Sequence, residues 1–168
     1  MSALEQFRMM AGYNRWMNEK LYALCAALSD EERKRDRKAF FRSIHGTLNH
    51  LLAGDRSWLG RFTDRPFPLR SLDEELYADF GELRRERAAT DAAIEDFCAA
   101  LTEARLSAHL VYSTIAGKRY DHPLAPALVH FFNHQTHHRG QLTTLLSQLG
   151  VDPGATDLIT YYREPNAR

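Results

Sequence analysis

The sequence predicts an all-α protein folded as a four-helix bundle. Four long segments place apolar residues at steps of three and four, the spacing of one helix face. The stretches between them hold caps, prolines and turn residues. Residues 109–122 change to strand-forming side chains, which adds a short β-hairpin between the third and fourth helices. At 168 residues, the whole chain, 1–168, fits one domain.

The first helix carries Leu4, Phe7, Ala11, Met17, Leu21, Leu24 and Leu28, a stripe broken at Asn14. Ser29-Asp30-Glu31-Glu32 follows and has the form of a capping box that opens a short turn or helix. The second helix carries Ile44, Leu48, Leu51, Leu52, Leu59 and Phe62, with Ser43 as its N-cap and Asp55 inside the stripe. A linker with two prolines runs from Thr63 to Arg70. Ser71-Leu72-Asp73-Glu74 reads as the capping box of the third helix, whose stripe is Leu72, Leu76, Phe80, Leu83, Thr90, Ile94, Phe97 and Leu101, with Arg87 on the same face. In the hairpin, Leu110, Val111, Tyr112, Thr114, Ile115 and Tyr120 favour strands, and Ala116-Gly117-Lys118 supplies the turn. The fourth helix runs from about Leu124 to Leu149, with Pro123 and Pro126 in its opening turn and Gly150 at its close. The tail from Val151 is irregular, apart from the apolar pairs Leu158-Ile159 and Tyr161-Tyr162.

Composition narrows the function. Lys+Arg and Asp+Glu both number 22, and that balance argues against a nucleic-acid partner held by a broad basic surface. Cys25 and Cys98 are too few for a disulfide framework and read as small core residues. The opening residues lack a signal peptide's apolar core, and no apolar run is long enough to span a bilayer. A cytoplasmic protein without a membrane partner is therefore expected.

Eight residues are His, and four of them, His130, His134, His137 and His138, fall within one short stretch of the fourth helix. At about 100° per residue, Leu142, Leu145 and Leu149 lie within about 40° of Phe131 and mark the core face. His134 and His138 fall inside or beside that face, whereas His130 and His137 lie on its flank, near 260° and 240°. Spacing of i, i+4 stacks two imidazoles so that one metal ion can bridge them. The HExxH zinc motif is absent, because Gln135 stands at its glutamate position. A metal centre wants about three protein ligands and an open position. His45, His50 and Asp55 on the second helix all compete for the third place, and His50 sits roughly 150° from the centre of its stripe. Spacing leaves that ligand open.

The run Leu128-Val129-His130-Phe131-Phe132-Asn133-His134-Gln135-Thr136-His137-His138-Arg139-Gly140-Gln141-Leu142 resembles the signature of the DinB family of damage-inducible, YfiT-like proteins. Tyr13–Asn18, Leu48–Leu59 and Asp157–Tyr161 resemble other stretches of that family, in the same order. The resemblance implies a four-helix bundle with a divalent metal held by three histidines, which by position are His50, His134 and His138. It also implies a metal-dependent enzyme that takes a small-molecule substrate and a low-molecular-weight thiol, a thiol S-transferase or a hydrolase or isomerase of related chemistry. A homodimer is the expected assembly. The competing reading is a non-catalytic, stress-related metal binder, and a third is haem held by two histidines. Zinc is expected first on availability and nickel second, since imidazole ligands suit both. His130 and His137 are candidates for supporting or substrate contacts, and His45, His109 and His122 for surface or structural roles. Asp55 is expected to pair with Arg87 or Arg139 rather than act as a base. Asn14 and Thr90, which also break their stripes, are expected to join it in one polar layer near the metal, with Arg139 and Gln141 as local hydrogen-bond partners.

Overall fold

The computed structural model describes residues 1–163. Its elements in order are α1 (Ala3–Ala26), α2 (Asp30–Lys34), α3 (Ile44–Phe62), α4 (Phe80–Ala99), α5 (Glu103–Ser107), β1 (His109–Ser113), β2 (Arg119–Pro123), α6 (Leu124–Ser147) and α7 (Leu158–Arg163). The four long helices α1, α3, α4 and α6 form the bundle, with α1 and α3 each packed against both α4 and α6. Among the described residues, no helix is long and apolar enough to cross a membrane.

Local chemistry sets most of the boundaries. Ser2 and Glu5 form a reciprocal capping box at the start of α1, while Ser29 and Ser43 cap α2 and α3 by accepting from the backbone N–H three residues on. The expected hairpin is present as β1 and β2, antiparallel with Tyr112 opposite Tyr120. Gly150 closes α6 with φ +75°. Its N–H donates to Ser147 O and that of Val151 to Leu146 O, the Schellman pattern that places a glycine at this position.

One expected boundary is wrong. Ser71 opens no helix, and α4 begins at Phe80 with Asp79 as its N-cap, the carboxylate accepting from Glu82 N. Residues 63–79 are instead an extended linker whose backbone is tied to α3. Tyr77 O accepts from Asn49 Nδ2 and meets His45 Nε2, while Tyr77 N donates to Asn49 Oδ1. Those tertiary hydrogen bonds outweigh a local capping sequence, and Leu72 is left 60 % exposed rather than part of a buried stripe. The short helix α5 and the terminal helix α7 were not legible from periodicity, being five and six residues long.

The core is split. One apolar cluster gathers Phe7, Phe62, Ile94, Leu128 and Phe131, and a second gathers Met17, Leu21, Ile44, Leu48, Leu83, Leu142 and Leu146. Between them along every long helix lie buried polar groups: Asn14 and Asn18 on α1, Asp55 on α3, Arg87 and Asp91 on α4, Gln135 and Arg139 on α6. Arg87 reaches Asp55 at 2.7 Å and Asp91 at 2.8 Å. Gln135 Nε2 donates to Asp55 Oδ1, Asn14 and Asn18 donate to Asp91, and Arg139 donates to Asn14 Oδ1. Asn14 thus belongs to the expected layer, but Thr90 does not: its hydroxyl donates to Glu86 O and accepts from Arg56 at the edge of the bundle. Arg139 is also more than a local partner, because it crosses to α1.

Candidate metal centre

Helices α3 and α6 face each other antiparallel, and their pairing builds the site. His50 meets His138, Gly54 meets His134, and Trp58 meets His130, so the two numbers in each pair move in opposite senses. This pairing lies on the flank between α3 and α6. That is why His50 stands off its apolar stripe and still becomes buried, at 4 % exposure. The most deeply buried polar positions on α6 are Gln135 and Arg139, while His138 is buried and His134 half-buried. The wheel thus aimed His134 and His138 slightly too far inward.

His50 Nε2 lies 3.2 Å from His134 Nε2 and 3.2 Å from His138 Nε2. The three histidines form a group whose ligand atoms all lie within 4.8 Å, and it can hold a metal ion. Two of the rings have their proton positions fixed by their other nitrogen. His50 Nδ1 is 2.7 Å from Leu72 O, a carbonyl that can only accept. His138 Nδ1 is 2.7 Å from Gln141 Oε1. Both Nδ1 atoms therefore carry the hydrogen, and both Nε2 lone pairs are bare. Two bare lone pairs at 3.2 Å repel unless a cation lies between them. Tetrahedral ligands at about 2.0–2.1 Å from zinc stand about 3.3 Å from one another, so the observed spacing fits the ion that the electrostatics asks for.

Burial sets the charge state. It lowers the pKa of His50 to about 4, and that of His134 to about 3 with help from the neighbouring His138 and His50. His138 is also shifted downward by burial. All three rings are neutral at pH 7, so no proton competes for the lone pairs.

The surroundings were only partly legible in sequence. The Phe41 ring stacks on His50 with centroids 3.7 Å apart and also contacts the edge of His138. The Leu72 carbonyl comes from the linker, and backbone atoms leave no trace in residue type. Gly54 clears space for His134, since a Cβ there would stand 3.0 Å from His134 Cε1. Gly54→Ala is therefore expected to weaken zinc binding by about tenfold, the lower end of what disturbing a ligand's support costs. Stability of the metal-free protein should hold or rise slightly, since alanine is favoured over glycine within a helix by roughly 0.5–1 kcal/mol. Competitive chelator titration and urea unfolding measure the two effects separately.

The family model of the DinB family matches residues 1–167. The chain belongs to the DinB family. It is 25 % identical over 159 residues to Protein DinB of Bacillus subtilis (strain 168), covering 89 % of each chain. Its fold is similar to the crystal structure of a DinB-like protein from Bacillus cereus ATCC 10987, with a TM-score of 0.58 at 19 % identity over 83 % of this chain and 89 % of that one. That structural likeness concerns the fold alone.

The remaining candidates of this DinB-family chain fall into place around the group. His130 lies exposed on the cavity wall, its ring 6.0 Å from that of His134 and 5.1 Å from Trp58. His137 is exposed and 3.4 Å from Gln141 Nε2, one step removed through the amide that holds His138. Asp55 sits wholly within the buried layer against Arg87 and Gln135, where it supports the bundle and has no path to a substrate. His45 is buried and structural, held to Tyr77 O. His109 pairs with Asp121 on the hairpin surface, and His122 lies beside Tyr112.

Proposed function

We propose that the chain is a metal-dependent enzyme in which His50, His134 and His138 hold one divalent ion, zinc or nickel, and a low-molecular-weight thiol attacks a small electrophilic substrate beside it. The observation that carries this reading is the pair of bare Nε2 lone pairs held 3.2 Å apart. Among the described residues, no fourth His, Cys, Asp or Glu joins the group. A cavity of about 680 Å³, lined in part by His50 and His134, opens beside it. Three protein ligands next to a cavity favour catalysis over a closed structural ion, the alternative in which the protein is a stress-related metal binder. Haem between two of these rings has no geometric support, because Nε2 atoms in direct contact leave no room for a macrocycle.

A divalent ion at three neutral imidazoles retains its charge and lowers the pKa of a thiol or water brought to it. The protein's own groups do the positioning. The Leu72 carbonyl and the Gln141 amide hold the His50 and His138 rings in the tautomer that presents Nε2. Phe41 shields one side of the pair from water. His130 stands on the cavity wall and can accept a proton released there, its own pKa lowered by the partial burial of its ring against that wall and by Arg61.

The test is thiol transfer to monochlorobimane, with a panel of low-molecular-weight thiols, by untagged protein loaded with zinc or nickel. Loaded protein is expected to accelerate transfer, and both chelation and His134→Ala to abolish the acceleration. Transfer that persists in metal-free protein overturns the reading.

A further inference from the structure

Below the three histidines, the face of α3 continues through Gly54, Trp58 and Arg61, at steps of four and three from His50 that keep one side of the helix toward the cavity. The opposite wall is Leu72 of the linker and Ile115 of the hairpin turn. Most of the exposed wall is apolar, with Ser57, Ser71, Thr114 and the histidines adding polar edges, and two arginines reach it. Arg70 is paired with Glu74, whereas Arg61 is not paired with a carboxylate. Its guanidinium lies over Trp58 at 4.5 Å and over Tyr112 at 4.8 Å from the ring centres. The other buried or half-buried arginines all donate to a named partner: Arg33 to Leu28 O, Arg37 to Glu32, Arg56 to Glu86, Arg87 to Asp55, Arg105 to Phe62 O and Arg139 to Asn14. Among the described residues, Arg61 alone of this group has neither a hydrogen bond nor a carboxylate in range.

A half-buried guanidinium keeps five donors in a planar fork. Two aromatic faces flank its charge from the sides and leave the in-plane N–H groups to water, open to a ligand that enters the cavity. The matching group is a carboxylate, which can take two of them at once. Because Arg61 stacks back over Trp58, its head lies near the level of that residue, about 6 Å along the helix from the level of Gly54 and His134. A molecule with a carboxylate at one end and a body a few carbons long spans that gap.

We propose that the cavity is a binding site for an organic carboxylate with a short apolar body, its carboxylate paired with Arg61, its body against Trp58 and Ile115, and its far end at the three histidines. This names the substrate class of the proposed enzyme, and the role of the far end rests on that reading. The anion site is testable without metal.

The chain holds two tryptophans, and Trp16→Phe leaves Trp58 as the sole reporter in the cavity. Metal-free protein is titrated with 4-phenylbutyrate and with its neutral counterpart 4-phenylbutyramide, followed by Trp58 fluorescence and by calorimetry. The acid is expected to bind at least about tenfold more tightly than the amide, the range of a charge-assisted pair. Arg61→Met, which keeps length and removes charge, should erase that preference, leave amide affinity within about twofold, and leave zinc affinity unchanged. Arg61→Gln serves as a second variant with the same expectation. Equal binding of acid and amide, no binding of either, or a preference that survives both variants overturns the proposal. If zinc fails to bind while the acid preference depends on Arg61, the metal reading falls and the anion site stands.

Discussion

Arg87→Met is expected to lower the unfolding free energy of the metal-free protein by about 3–5 kcal/mol, because it leaves two buried carboxylates without their cation. Arg87 is 2 % exposed, and Asp55 and Asp91 are 1 % and 2 % exposed. Burial disfavours the Arg87 charge, but Asp91 and Asp55 outweigh it and the net shift of its pKa is upward. The guanidinium is thus charged in the native layer, and its loss cannot be relieved by water. The remaining carboxylates can escape only by taking up protons. Burial already holds both folded-state pKa values above the ordinary carboxylate value against the pull of Arg87. Removing that cation raises them further, so the variant loses more stability than the wild type as pH rises from the unfolded towards the folded values. The loss should be larger at pH 8 than at pH 5. Urea unfolding at both values measures it, and a loss under about 1 kcal/mol at pH 8 would mean that the pair is in contact with solvent.

His50→Ala carries the other large effect. His50 supplies the Nε2 that lies 3.2 Å from both of its partners, so removing it leaves only the i, i+4 pair on α6. Zinc affinity is expected to fall by more than about 100-fold, beyond the range seen when only a supporting group is lost. Stability of the metal-free protein should fall far less than in Arg87→Met, since the Leu72 carbonyl can turn to solvent. His45→Ala is the control: that ring is equally buried but bonds to Tyr77 O and faces the linker. It should cost stability and leave zinc affinity intact. Chelator competition in the two variants separates a ligand from a structural histidine.

These contrasts explain what the chain showed in advance. The long helices were legible because a buried stripe at steps of three and four is a property of sequence alone. His134 and His138 were legible for the same reason, lying at the edge of the stripe on α6. His50 was not, because its face looks toward a neighbouring helix and a linker rather than the bundle axis. Only its resemblance to the DinB signature singled it out. The Ser71 capping sequence misled, since the carbonyls of Leu72 and Tyr77 are committed to His50, His45 and Asn49 on α3. Tertiary partners of that kind have no local pattern. Arg61 was equally hidden: its meaning lies in the acidic partner it lacks, and only the packed structure shows that.

The most direct measurement is the metal content of untagged protein after equilibrium dialysis against zinc, read by elemental analysis beside the His50→Ala, His134→Ala and His138→Ala variants. One ion per wild-type chain and a loss of bound zinc in all three variants is the expected result. A wild-type chain that retains no zinc, or variants that hold it as well as the wild type, would show that these three imidazoles do not form a metal centre.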